Sequence, residues 1–146
     1  SENMYTAADY DKAILSLGKK QIGLTNKISA MQEKRKEVAA VTKSLQICKT
    51  YKPVWIQYVE LPMSQKSAFY SGHSTELQAY SSAAKNLEKE GIDQSVDLDK
   101  AIGFTEQLER KIEEAKEQLR ETNSEEKKAQ QERKKVLDIQ ENHTMS

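Results

Sequence analysis

The side chains best suited to catalysis or metal binding are few and scattered. His73 and His143 are the only histidines. Neither stands in a His-x-His or His-Glu-x-x-His pattern, so a metal site would need ligands that the sequence does not single out. His73, within Ser71-Gly72-His73-Ser74, reads as a turn or capping residue. Cys48 is the only cysteine, which excludes an intramolecular disulfide and a cysteine-based metal site and permits a reducing compartment. Its expected role is a small apolar residue on a helix face. Leu17-Gly18-Lys19-Lys20 lacks the paired spacing of a phosphate loop, and no Gly-x-Ser-x-Gly elbow occurs. Carboxylates are abundant, but their pattern places them on solvated helix faces. A catalytic pair needs a partly buried cleft that separates its pKa values. The expectation is a chain without cofactor or metal that is not an enzyme.

Two groups of residues could instead make contacts. Lys34-Arg35-Lys36, Lys127-Lys128 and Arg133-Lys134-Lys135 are basic clusters suited to phosphate contact along a duplex or single strand. Their acidic neighbours Glu33, Glu37, Glu125, Glu126 and Glu132 favour a charged coiled-coil surface instead. The 23 basic and 23 acidic residues give zero formal net charge, which argues against a general polyanion binder. An antiparallel hairpin would bring the clusters near 35 and 133 toward the same half, which keeps DNA among the expected partners. Tyr51, Trp55, Tyr58, Phe69 and Tyr70 could stack bases. The spacing 51, 55, 58 reads first as one buried helix face. Tyr51, Trp55, Tyr58, Phe69, Leu77 and Leu87 are therefore the expected core of a small helical head.

The elements that must hold these residues are helices. The chain is 32% charged and 36% hydrophobic, with only five Gly and two Pro, a composition of long helices burying narrow seams. Thr6-Ala7-Ala8-Asp9 has capping-box form. Tyr10, Leu17, Leu24, Met31, Val38 and Leu45 then recur every seven residues, with a companion track at Ile14, Gln21, Ile28, Arg35 and Thr42. This predicts a helix over about 7–51. Gly18 and Gly23 mark either close packing or a soft spot. Pro53 should kink or restart the helix, and Leu61-Pro62 should end the piece that follows. Shorter helices are expected over about 54–90, one capped by Ser64 and ending near Tyr70, the next over 75–90 and stopped by Gly91 in the left-handed region. Ser95 or Asp97 caps a last helix over about 98–139. Its tracks are Leu98, Thr105, Ile112, Leu119 and Ala101, Leu108, Ala115, Thr122, Ala129, Val136. Surface pairs are expected at Glu106–Arg110, Arg110–Glu114, Glu117–Arg120 and Glu132–Lys135, and residues 141–146 should fray.

The expected fold is all-α: two long antiparallel helices forming a coiled-coil-like hairpin with a small head of shorter helices, in one domain. Polar slots at Gln21, Arg35, Glu126 and Arg133 set register, either within a hairpin or between the chains of a homodimer. No apolar run approaches the roughly 18 residues that span a bilayer. Residues 1–10 carry no apolar segment of a signal peptide. The expected location is the cytoplasm, with no membrane contact. A start at Ser1 without Met reads as a piece of a longer protein.

The stretch 41–91 resembles the region that follows the nuclease domain in relaxases, the mobilisation nucleases of mobile elements in Gram-positive gut bacteria. The likeness rests on Tyr51-Lys52-Pro53-Val54-Trp55-Ile56-Gln57-Tyr58, then on Lys66, Phe69 and His73, then on Glu76-Leu77, Ala83, Leu87 and Gly91. A loop and a long charged helix complete the pattern, and with the flanking helices the likeness covers most of the chain. Relaxases of this kind nick DNA with a tyrosine nucleophile and a metal held by a histidine cluster. This chain has no histidine cluster, so no tyrosine here takes that role. The resemblance implies a non-catalytic accessory domain in conjugative transfer, contacting DNA or other relaxosome proteins. The other reading of the same residues is a general coiled-coil interaction or spacer module.

Overall fold

The computed structural model describes residues 5–145, with side chains through His143. It consists of four helices, α1 (Ala7–Glu60), α2 (Met63–Gly72), α3 (Ser74–Lys89) and α4 (Leu98–Met145), and no strand is present among the described residues. Two compact units divide it. Among the described residues, one combines 5–32 with 110–145, and the other spans Glu33–Glu109.

The first unit is the α1 start against the α4 end. The capping box forms as its sequence predicts. The Thr6 N–H donates to the Asp9 carboxylate at 2.9 Å and the Asp9 N–H donates to Thr6 Oγ1 at 3.3 Å. These bonds satisfy backbone donors that a helix start leaves free. The heptad tracks point inward: Leu24, Ile28, Ile112, Ala115 and Thr122 are buried. Thr122 lies within this apolar seam because its hydroxyl donates to the Gln118 carbonyl at 2.7 Å. Polar slots answer each other across the seam. Gln21 Nε2 donates to Asn123 Oδ1 at 2.8 Å and to Glu126, and Arg133 Nε donates to Asp11 Oδ1 at 2.5 Å. Low numbers on α1 meet high numbers on α4, so the two segments run antiparallel.

The second unit packs the rest of α1 against α3 and the start of α4. Leu45 and Cys48 from α1 meet Tyr80, Ala83 and Leu87 from α3, with Val41, Tyr51, Trp55, Ile92, Leu98 and Ala101 around them. Cys48 is a buried apolar residue, and burial pushes its thiol up. Gly91 has φ +70° and closes a complete C-terminal motif. The Ile92 N–H donates to the Leu87 carbonyl at 2.8 Å and the Gly91 N–H to the Glu88 carbonyl at 3.0 Å. Of the two candidate caps, Asp97 starts α4, accepting the Asp99 N–H at 2.9 Å. Ser95 instead donates its N–H to Asp93 in a local turn.

Several expectations are corrected. Pro53 lies inside α1, which continues to Glu60. Pro53 and Lys49 are both exposed, so the Lys49 carbonyl that loses its N–H partner can bond water. Pro62, not Ser64, stands at the cap position of α2, which extends past Tyr70 to Gly72. The expected turn at 71–74 shrinks to His73 alone. Its N–H closes α2 on the Phe69 and Tyr70 carbonyls, while its own carbonyl accepts the first bond of α3 from Leu77. Helix α4 continues to Met145 where fraying was expected, and Ser146 lies outside the described residues. Glu117–Arg120 and Glu132–Lys135 close. The Glu106–Arg110 and Arg110–Glu114 pairs do not close among the described residues. A side chain added at Gly18 or Gly23 would meet nothing within 4 Å. Neither glycine serves packing within the chain, and each costs the helix about 1 kcal/mol relative to Ala.

Gly91→Ala should destabilise the second unit by roughly 1 kcal/mol, because a Cβ is strained in the left-handed region. Thermal denaturation checks it. The Thr6 N–H, then the Thr6 hydroxyl, hold the Asp9 carboxyl below its ordinary value. Its contribution to the α1 start is therefore complete above about pH 4 and fades as pH falls through the lower folded value. Amide protection factors at residues 7–10, corrected for intrinsic exchange, should fall on acidification in the parent chain and lose that pH dependence in Asp9→Asn.

Candidate functional site

The head residues of the second unit do come together, in two tiers. Leu77 and Leu87 are each 1% exposed. Tyr51, Trp55, Tyr58 and Phe69 are only half-buried. Helix α2 contributes no buried residue, so it lies along the rings without enclosing them. Of the expected head core, Leu77 and Leu87 are fully enclosed, and Tyr51 and Trp55 pack against the buried cluster from its edge. The buried centre is aliphatic plus Tyr80, and the rings form a ladder beside it.

That ladder begins with Trp55 stacked on Tyr80, centroids 5.0 Å apart at 24°. Tyr58 meets Trp55 at 5.9 Å, Phe69 at 6.3 Å and Tyr70 at 5.8 Å. Phe69 stacks on the His73 imidazole at 4.3 Å. Every ring proposed for base stacking already packs on an intramolecular neighbour, which fits the reading of a helix face packed within the fold. The Tyr80 hydroxyl donates to Gln94 Oε1 at 3.2 Å, tying α3 to the segment before α4. Asn86 Nδ2 donates to the buried Ser44 hydroxyl at 2.9 Å, tying α3 to α1.

One important side chain has a role that the sequence pattern does not show. Lys66 Nζ donates to the Tyr58 and Val59 carbonyls at 3.0 and 2.9 Å and lies 5.0 Å from the Tyr58 ring centroid. It supplies charge-assisted partners to the open C-terminal carbonyls of α1. Nothing local signals this, because its partners are seven and eight residues away. Tyr80 falls by helical spacing on the face of Leu77, Ala84 and Leu87, and the structure buries it there, beneath Trp55.

The basic clusters are partly consumed. Arg35 sits 3.4 Å from Glu109, Lys36 4.0 Å from Glu33, Arg133 2.5 Å from Asp11 and Lys135 3.2 Å from Glu132. Lys34, Lys127, Lys128 and Lys134 are exposed and close no ion pair among the described residues. Lys127 and Lys134 line a shallow groove with Asn123, Glu126, Gln130 and Gln131. The clusters near 35 and 133 do not share a unit, contrary to expectation. Arg35 pairs toward Glu109 in one unit and Arg133 toward Asp11 in the other. The hairpin register dictates those partners.

Among the described residues, no group of three or more His, Cys, Asp or Glu could hold a metal ion. The Nδ1 of His73 is buried without a hydrogen-bond partner and stands 3.6 Å from Glu76 Oε2. His73 contributes its backbone bonds and its ring, stacked on Phe69, to the junction of α2 and α3. Among the described residues, no helix is long and apolar enough to cross a membrane.

Leu87→Ala should cost about 2–5 kcal/mol, since it empties a fully enclosed site. Arg133→Ala should cost at most about 1 kcal/mol, because its pair is largely solvated. Chemical denaturation separates the two, and Trp55 fluorescence reports the second unit directly.

Comparison of the chain with protein-family models, with curated proteins and with solved structures finds no match.

Proposed function

We propose that this chain is a non-catalytic accessory domain of a DNA-nicking relaxase and that it works through contact with a protein of the transfer machinery. One observation carries the reading. The residues on which the likeness to relaxases rests have packing roles in one head. Trp55, Tyr58, Phe69 and His73 form the ladder, Leu77, Ala83 and Leu87 are buried, and Gly91 supplies the left-handed stop. A motif made of packing residues marks a shared scaffold and leaves chemistry to another domain.

Protein contact is favoured over DNA by the charges. Four of the eight cluster cations are engaged by carboxylates, and the formal net charge is zero. Duplex binding draws its affinity from unneutralised cations that displace counterions.

Fluorescence anisotropy with a labelled duplex and a labelled single strand, over a salt series, should show no tight binding. Affinity that drops steeply with salt, and that Lys34→Ala, Lys127→Ala, Lys128→Ala and Lys134→Ala together abolish, would assign DNA contact instead. The relaxase reading is tested in a mobilisation assay of the longer protein carrying this chain. Removing the chain should eliminate most transfer while nicking of a supercoiled origin plasmid persists. Unchanged transfer would leave a spacer without a specific partner, and loss of nicking would place the chain in the catalytic step.

A further inference from the structure

We infer that the outward side of α1 in the first unit is a second seam that receives an acidic amphipathic helix from another protein. The inference uses only the surface of that unit and does not rest on the relaxase reading.

The apolar part of this seam is exposed. Leu15 is 62% exposed and Ile22 65%. They belong to a seven-residue repeat, Ala8, Leu15, Ile22 and Ser29, displaced by two positions from the inward track of Tyr10, Leu17, Leu24 and Met31. At 3.6 residues per turn, two positions is roughly 200° from that track and one position about 100° from its companion Ile14, Gln21 and Ile28, so the repeat lies outside the intramolecular seam, beyond its companion track. A repeat of seven is the spacing at which one helix stays in contact with another. Gly18 falls between Leu15 and Ile22 on this side, with open space where its Cβ would be. A glycine that packs against nothing in its own chain leaves room for a partner backbone to approach.

The uncommitted charge on this stretch is positive. Asp9 is taken up by the Thr6 cap and Asp11 by Arg133, and between residues 12 and 32 the charged residues are the four lysines Lys12, Lys19, Lys20 and Lys27. All four are exposed, and none closes an ion pair among the described residues. This contrasts with the three basic clusters, each interleaved with acids. Lys12 and Lys19 stand four residues beyond Ala8 and Leu15 and flank the repeat on one side, where coiled coils place the charges that choose a partner. The complement is a helix with its own seven-residue apolar repeat and carboxylates beside it. A nucleic acid would engage the lysines and leave Leu15 and Ile22 in water. An anionic membrane would call for a broader apolar face than these two side chains supply. A second copy pairing through the same face would set lysines against lysines.

The test uses the full chain and two labelled synthetic peptides of about three heptads. They share one apolar repeat and carry Glu or Lys at the flanking positions. The Glu peptide should bind at least about tenfold more tightly than the Lys peptide. Leu15→Ser with Ile22→Ser should weaken binding about tenfold or more without changing the thermal midpoint, because both residues are exposed. Lys12→Glu with Lys19→Glu should reverse the preference between the peptides. Gly18→Ala should raise the midpoint yet weaken binding. The inference is overturned if neither peptide binds or if both bind equally. It is also overturned if the Leu15 and Ile22 changes instead abolish binding to phosphatidylserine vesicles or duplex DNA, or abolish a dimer seen by sedimentation.

Discussion

The antiparallel register between α1 and α4 is the constraint on which everything else depends, and polar residues specify it. An uninterrupted seven-residue apolar track tolerates a slip of one heptad, since each Leu or Ile then meets another. Gln21 does not tolerate it. In the first unit Gln21 bonds Asn123 and Glu126, and Arg133 bonds Asp11. In the second, Arg35 faces Glu109. A slipped register would forfeit these pairs, each worth a few tenths to about 1 kcal/mol because its groups are partly solvated. The polar slots therefore trade little stability for one alignment, and they find that alignment within a single chain.

In the second unit, that alignment leaves the end of α1 to be covered by two short helices. The stack of Trp55 on Tyr80 and the row from Tyr58 through Phe69 to His73 bind the end of α1 to α2 and α3. Lys66 answers the last carbonyls of α1. These contacts explain how α1 passes through Pro53. The lost hydrogen bond lies on the wet side, while Tyr51, Trp55 and Tyr58 hold the packed side.

The surfaces that remain differ in kind. In the most conspicuous basic clusters, Arg35, Lys36, Arg133 and Lys135 are engaged by carboxylates, while Lys34, Lys127, Lys128 and Lys134 stay exposed with acidic neighbours close in sequence. The stretch from residue 12 to 32 has four lysines and no acids, and Leu15 and Ile22 stand in water beside them. Sign and spacing, more than the count of cations, decide which face of a charged helix is available to a partner.

Much of this was legible in the sequence because it is local or periodic. The Thr6–Asp9 box, the Gly91 stop and the inward tracks through Leu24, Ile28, Leu108, Ile112 and Thr122 all depend on neighbours within one or two turns. The opposition of polar slots was legible only as a possibility, since the tracks do not say which slot meets which. Tertiary structure decided that Gln21 meets Glu126 and Arg35 meets Glu109. It also decided that Pro53 stays helical, that His73 alone joins two helices, and that Lys66 caps a helix it does not belong to. In each case the deciding partner lies on another element, or the deciding factor is which face meets water. A one-dimensional pattern carries neither.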